Sequence, residues 1–148
     1  MIKVISWDEI KEVWANHLWK DRQSPIESNS AMNYLGGYSS FNMSTEPTFF
    51  GYYVNDDLAG VNSCHICENN QYRSRGLYVF DKYRNKGIGV QLLMVTISQA
   101  KNESASMIWS LPRYTSWKTY EKSGFTLSSD WFETETSDKN AYCILKLT

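Results

Sequence analysis

The sequence has few of the residues that build metal, disulfide or nucleic-acid sites. Its 148 residues include three cysteines and two histidines, and its acidic and basic side chains nearly cancel, to a net charge of −1. A balanced charge gives no reason to expect nucleic acid as a partner. No apolar run approaches the length of a membrane span, and the N-terminal residues turn polar too soon for a signal peptide. We therefore expect a cytoplasmic protein with no membrane partner.

The cysteines do not form a recognisable metal or redox motif. Cys64 and Cys67 have the spacing of half a zinc site, but there is no second pair, and the only other cysteine is Cys143. The segment also resembles a strand, in which residues three apart point to opposite faces. We expect three free thiols and no bound metal.

Length and pattern predict one domain over residues 1–148, with the element order β-α-α-β-β-β-α-β-α-β-β. A capping box at Ser6 and Glu9 begins the first helix, which we expect to run to about Lys20. A short second helix is predicted through Tyr34, ended by the following glycines.

The least regular parts of the sequence are residues 38–47 and the chain end. Residues 38–47 are rich in Ser, Asn and Thr and are predicted as a loop, where an acceptor site is expected. The aromatic residues near it form either a wall for a cation or part of the core; they are Tyr34, Tyr38, Phe41 and Phe49. Two closing strands are predicted to join in a hairpin around residues 137–140.

One stretch, Arg84 to Val90, has the residues of a phosphate-binding loop. It follows the strand-like run 76–80 and begins a helical pattern that extends from about Gly87 to Lys101. The first N–H groups of a helix have no internal partner and attract anions. Gly87 and Gly89 allow the backbone to approach a bulky phosphate. The stretch therefore predicts a pyrophosphate site.

Two common nucleotide motifs are excluded at this loop. A Walker loop would end in Gly-Lys-Ser/Thr, which is absent, and a dinucleotide fingerprint would need a third glycine where the sequence has Leu92. The dinucleotide motif also needs an acid on a later strand, and the corresponding run around Ile108 has none. The pattern that remains is Arg-x-x-Gly-x-Gly.

That pattern, with the strand Leu77-Tyr78-Val79 before it and the run Tyr120 to Phe125 after it, resembles the GNAT family of N-acetyltransferases over nearly the whole chain. The resemblance implies an α+β fold. A central, mostly antiparallel mixed sheet would be flanked by about four helices. Its fourth and fifth strands would be parallel neighbours that splay apart, and acyl-CoA would enter between them.

The resemblance also implies roles for particular residues. The backbone of Leu77, Tyr78 and Val79 would contact the pantetheine and thioester, and the backbone near Tyr78 and Val79 would supply the oxyanion donor. Tyr120 would be the general acid that faces the departing sulfur; its alternative role is that of a core aromatic. The residues that would hold the pyrophosphate are Arg84, Asn85, Lys86, Gly87, Ile88, Gly89 and Val90.

The implied activity is transfer of an acetyl group from acetyl-CoA, as a co-substrate without metal, to a primary amine of a small molecule or peptide. The amine would attack directly in a ternary complex. The alternative is a non-catalytic module of the same fold that binds CoA or a protein partner; a homodimer is left open.

The general base is unassigned, because the strand position that holds a glutamate in some relatives is Ile108 here. Glu68, His65 and Asp81 are candidates by chemistry alone. A second departure from the family pattern is Arg113, which stands where many relatives have an Asn that contacts CoA. This arginine would reach either a CoA phosphate or an acidic acceptor.

Overall fold

The computed structural model describes residues 1–134 and 138–147. The strands are β1 (Ile2–Val4), β2 (Thr48–Val54), β3 (Asp57–Ile66), β4 (Gln71–Val79), β5 (Met107–Ser110), β6 (Thr126–Leu127), β7 (Phe132–Glu133), β8 (Lys139–Asn140) and β9 (Cys143–Lys146). The helices are α1 (Trp7–Val13), α2 (Ser40–Ser44), α3 (Ile88–Asn102) and α4 (Trp117–Lys122). A π-helical turn, Trp14–Leu18, continues α1, and short 3₁₀ turns span Glu68–Asn70, Asp81–Tyr83 and Tyr114–Ser116.

Seven strands form one mixed sheet in the order β1-β2-β3-β4-β5-β9-β6, and β7 and β8 form a separate hairpin. Only β4 and β5 pair in parallel among the described strands. Their pairing covers residues 71–73 against 107–109, and no residue of β4 after Arg73 pairs with β5. The two strands therefore splay apart, and the predicted α+β fold with about four helices is confirmed.

A bulge interrupts β4 just where the strands have separated. Arg75 pairs with Ser63 of β3 and Tyr78 with Val61, so Gly76 and Leu77 together oppose a single residue. Gly76 has a φ of +79°, the left-handed region that glycine adopts without strain. The extra residue shifts the alternation of side chains along β4, so that Leu77 packs on the same side of the sheet as Tyr72.

Hydrophobic side chains pack on both faces of the sheet. On one face Leu92 and Leu93 of α3 are fully buried, each contributing roughly 1.5–3 kcal/mol relative to an exposed side chain. On the other face Ile10 and Trp14 pack with Val61 of β3. Because α3 is fixed on the sheet in this way, its N-terminus is held at the end of β4.

The capping box is confirmed, because the Ser6 hydroxyl accepts the Glu9 N–H and the Glu9 carboxylate accepts the Ser6 N–H. The first helix ends at Leu18, close to the predicted Lys20. No helix in the described part of the chain is long and apolar enough to cross a bilayer.

The helix predicted through Tyr34 is wrong. This segment folds back on itself, with Met32 bridged to Tyr38, and a short helix forms instead over Ser40–Ser44, inside the predicted loop. Leu35 and the two glycines after it have positive φ, which ends any helix there. The Ser39 hydroxyl, which accepts the Phe41 N–H, caps α2.

The predicted antiparallel pairing of the two closing segments is confirmed in part, because β6 pairs with β9. β9 also pairs with β5 on its other side, and among the described strands β7 pairs with β8 alone, so the closing segments form more than one simple hairpin. The predicted turn at residues 137–140 falls partly outside the described residues, because Ser137 is not among them.

Candidate active site

The N-terminus of α3 is open for an anion. Gly87 precedes it with a φ of +78°, and no side chain in the described part of the protein caps its first N–H groups. A Cβ at Gly87 would have no atom within 4 Å, so this position faces open space. The helix dipole and these unpaired N–H groups make the loop attractive to phosphate.

A cavity of about 470 Å³, here named the loop cavity, lies between this loop, the end of β4 and the start of α4. Of the ten residues that sequence reasoning assigns to the donor, Lys86 is not among the lining residues. The other nine line this one cavity; they are Leu77, Tyr78, Val79, Arg84, Asn85, Gly87, Ile88, Gly89 and Val90. The far wall contains Arg113, which the sequence analysis singles out, and residues that it missed, namely Thr115, Ser116, Lys118, Thr119 and Lys122.

The described residues that line the loop cavity carry several positive charges and no carboxylate. The cations are Arg84, Arg113, Lys118 and Lys122. Lys118 and Lys122 lie four residues apart on α4, which places them on one helix face. The four-residue spacing of these two lysines is the feature of the sequence from which this positively charged wall of the loop cavity could have been predicted. A cavity lined by one sign of charge concentrates ligands of the opposite sign.

The backbone of Val79 faces away from β3. The Phe80 N–H donates to the Ala59 carbonyl over 2.9 Å, and hydrogen-bonded residues alternate along an antiparallel pair. Tyr78 therefore also points its backbone groups toward β3, and Val79 points its own outward. In agreement, the Arg84 Nε–H donates to the Val79 carbonyl over 2.8 Å. Of the two predicted oxyanion donors, this geometry favours Val79.

Tyr120 lies at the base of the splay, under the loop cavity and not in its lining. It lines a smaller cavity of about 50 Å³ between β4 and β5, here named the cleft cavity. Its hydroxyl oxygen is 3.1 Å from the Ser110 hydroxyl and 3.4 Å from the Ser74 hydroxyl. Burial raises the pKa of Tyr120 to about 12, so the phenol is neutral at physiological pH.

None of the three candidate bases lines the loop cavity or the cleft cavity. His65 is buried beneath the loop that precedes α2, and burial lowers its pKa to about 4. Asp81 forms an exposed ion pair with Arg84 at 2.7 Å. Glu68 begins the 3₁₀ turn that precedes β4, at the opposite end of that strand from Val79. The structure does not bring these side chains to the splay.

A third cavity, of about 460 Å³, continues from the cleft cavity on the side away from the loop, and is here named the arginine cavity. Arg73 and Arg75 of β4 line both of them, and Arg113 lines all three cavities. The expected aromatic wall is not formed there, because only Tyr38 of the four aromatics lines it and Phe49 is a core residue.

The three cysteines are buried free thiols, and none lines any of these three cavities. Burial raises the pKa of Cys64 to about 12 and that of Cys67 to about 11, and it raises the pKa of Cys143 as well. These thiols are therefore poor nucleophiles. No group of three metal-ligating side chains occurs within residues 1–134 and 138–147.

The fold and the glycine loop are those of one known class of protein. Residues 11–125 match the acetyltransferase (GNAT) family, and the chain belongs to that family. No curated protein sequence matches it.

Solved structures of the same class cover the whole chain. An acetyltransferase of the GNAT family from Staphylococcus aureus Mu50 superimposes with a TM-score of 0.71 at 16% identity, over 100% of this chain and 99% of that one. A Bacillus subtilis acetyltransferase in complex with CoA gives 0.67 at 18% identity, over 99% and 98%. The ribosomal-protein-S18-alanine N-acetyltransferase of Escherichia coli gives 0.67 at 14%, over 100% and 94%.

Proposed function

We propose that this protein transfers an acetyl group from acetyl-CoA to a primary amine. The observation that carries the proposal is the single cavity in which nine predicted donor-binding residues meet, at the N-terminus of α3 and the splay of β4 from β5. The pyrophosphate would lie on Gly87 to Val90 with Arg84 beside it. The pantetheine would run along Val79, and Lys118 and Lys122 would face the remaining phosphate charge.

In the proposed reaction the neutral amine nitrogen attacks the thioester carbonyl carbon. A C–N bond forms, the C–S bond breaks and the electron pair leaves with sulfur, while the amine loses one proton and the CoA thiolate gains one. The outward-facing N–H of Val79 is the candidate donor to the oxyanion of the tetrahedral intermediate. No residue forms a covalent bond to the acetyl group.

The state of the cysteines supports direct attack over an acyl-enzyme route. The buried cysteines lie outside all three cavities, and their raised pKa values disfavour thiolate.

No carboxylate or histidine from the described residues lines the loop or cleft cavity, so the amine proton leaves to water. A lysine-like amine is neutral in only about one molecule in 2,500 at pH 7. We therefore expect kcat/KM to rise with pH toward the pKa of the acceptor.

The test combines calorimetric binding of acetyl-CoA with release of free thiol over a panel of small amines, amino acids and peptides. We expect tight binding, acceptor-dependent thiol release, and initial-velocity lines that intersect when both substrates are varied. Parallel lines would contradict direct attack and indicate an acyl-enzyme.

If the protein is instead a non-catalytic module that binds CoA, the same experiment should give a different result. It would bind acetyl-CoA as tightly but release no thiol with any amine. Lys118→Gln provides the donor-side check, because loss of a lining cation should weaken acetyl-CoA binding. Lys101→Gln is the matched control on an exposed position that lines none of the three cavities.

A further inference from the structure

The arginine cavity contains buried positive charge that the donor site does not use. Arg73 is 8% exposed and Arg75 is 5% exposed. They are alternate residues of β4, so their side chains leave the same face of the sheet. The described residues lining the cavity include four arginines against one carboxylate, that of the exposed Glu27.

Neither buried guanidinium pairs with an acidic side chain of the described chain. The Arg75 guanidinium lies 5.0 Å from the ring centroids of both Trp14 and Trp19. It donates from Nη1 to the backbone carbonyl of Glu27 over 2.8 Å. A guanidinium has five N–H donors, so most of those on Arg75 have no acceptor among the residues that the structure describes.

Arg73 is held in a similar way. Its Nη1 donates to the Ser30 hydroxyl, and its guanidinium lies 4.6 Å from the ring centroid of Trp109. Its Nε–H is buried with no acceptor within residues 1–134 and 138–147. Burial lowers the pKa of Arg73 to about 10, which still leaves it charged at neutral pH.

A buried charge is costly unless a counter-charge meets it, and the tryptophan rings supply only part of that compensation. An anion bound beside Arg73 and Arg75 would complete it. Arginine is also the side chain best suited to carboxylate and phosphate, because its planar N–H groups match two oxygens at once.

The position of this charge relates it to the acetyl group. Arg75 precedes Leu77 by two residues across the bulge, and Leu77 lines the loop cavity, so the two Cα atoms lie at most about 7 Å apart. The cleft cavity joins them, because Arg75, Leu77 and Tyr120 all line it. An anionic group on Arg75 would therefore be a few bonds from an amine at the thioester.

We propose that the acceptor is an amine of amino-acid size that carries a carboxylate or phosphate group, bound by Arg73 and Arg75. This rests on the proposed transferase function and specifies its acceptor. The anion occupies the arginine cavity and the amine reaches through the cleft cavity to the splay. A cavity of about 460 Å³ is within the usual range for a small-molecule site.

The test uses acceptor pairs that differ only in the anionic group. An amino acid is compared with its amide and with the amine left after decarboxylation, and phosphoethanolamine is compared with ethanolamine. We expect kcat/KM to be about ten- to a hundredfold higher for the anionic member of the responding pair. This factor corresponds to the free energy that a hydrogen bond to a charged group contributes. The pair that shows the difference identifies carboxylate or phosphate as the anion.

Variants then locate the effect. Arg73→Gln and Arg75→Gln should raise KM for the anionic acceptor about tenfold or more, and should raise KM for its neutral partner by a much smaller factor. Arg73→Lys, which keeps the charge, should retain part of the preference. Lys101→Gln is the surface control. Thermal melting and acetyl-CoA affinity are measured on each variant. The acceptor pairs measured on the wild-type protein decide whether the acceptor is anionic even where a variant fails to fold.

The outcomes separate this inference from the function on which it rests. Turnover that is equal or faster with neutral or polycationic amines would overturn the anionic acceptor and retain the transferase. Preserved discrimination in well-folded Arg73→Gln and Arg75→Gln variants would overturn the assigned site. Tight acetyl-CoA binding with no turnover of any acceptor would overturn the transferase and this inference with it.

Discussion

The indole N–H of Trp14 donates to the Gly76 carbonyl over 2.8 Å, and the same ring occupies the space where a Gly76 side chain would begin. A Cβ there would be 2.4 Å from three atoms of the ring. The π-helical turn after α1 therefore packs against the bulge in β4 and is hydrogen-bonded to it. Because the bulge sets which side chains and backbone groups face the splay, this contact links the packing of the first helix to the candidate active site.

Gly76→Ala should be strongly destabilising for two reasons that add. The residue has a φ of +79°, and its Cβ would collide with a buried ring. We expect the free energy of unfolding to fall by about 2–4 kcal/mol, measured by urea denaturation. Gly124→Ala is the matched control, because it has a φ of +100° but an ordinary contact with Leu145 at 3.5 Å. Equal losses in the two variants would contradict the role of Trp14.

Gly89 allows α4 to approach the N-terminus of α3. A Cβ at Gly89 would be 2.8 Å from the Thr119 Cγ2 atom, and the next nearest atoms are 3.7 Å or more away. Gly89→Ala should displace α4, which carries Lys118 and Lys122, and raise KM for acetyl-CoA about tenfold. Thr119→Ser removes the Cγ2 atom, so the double variant should regain most of the affinity. A double variant as weak as the single one would show that the glycine matters for another reason.

Tyr120 is better placed to donate a hydrogen bond to the leaving sulfur than to give up its proton. With its pKa at about 12 and that of a thiol at about 8.5, full transfer is uphill by about 5 kcal/mol. We expect Tyr120→Phe to lower kcat about tenfold, which is below the roughly 10²- to 10⁴-fold contribution of a typical general acid. No falling limb should appear in the pH–rate profile up to about pH 11.

The control for this variant is Tyr142→Phe, which removes a buried phenol that lines none of the three cavities. If Tyr120 is only a core aromatic, Tyr120→Phe will change the free energy of unfolding and leave kcat as it was. Steady-state kinetics and urea denaturation on the same samples distinguish the two.

The donor side was predictable because its residues are contiguous. The strand to Val79, the loop at Gly87 and the helix after it follow one another in the sequence, and local signals fix each. Only the splay of β4 from β5 had to be confirmed from the structure. The family resemblance placed Tyr120 of α4 at the departing sulfur. Lys118 and Lys122 were detectable by their spacing on that helix, but no local signal placed them opposite the loop.

The proposed acceptor site was not predictable, because distant segments build the arginine cavity. Arg73 and Arg75 alternate along β4 as residues of a solvent-facing strand would. Their guanidinium groups are covered by residues from other elements, among them Trp14, Trp19 and Trp109. The misplaced second helix has the same origin, since the bridge between Met32 and Tyr38 overrides local helix signals.

His65 should make the protein acid-sensitive without taking part in the reaction. Burial, and then the charge of Arg73, lowers its pKa from 6.5 to about 4 in the folded state. As the pH falls, the unfolded state takes up this proton first, so the stability it contributes is present above pH 6.5 and lost toward pH 4. Between pH 7 and pH 5 the loss should be about 2 kcal/mol. In urea denaturation, His65→Gln should flatten that part of the profile, and the exposed-site control His17→Gln should not. An unchanged slope in His65→Gln would assign the acid sensitivity to other groups.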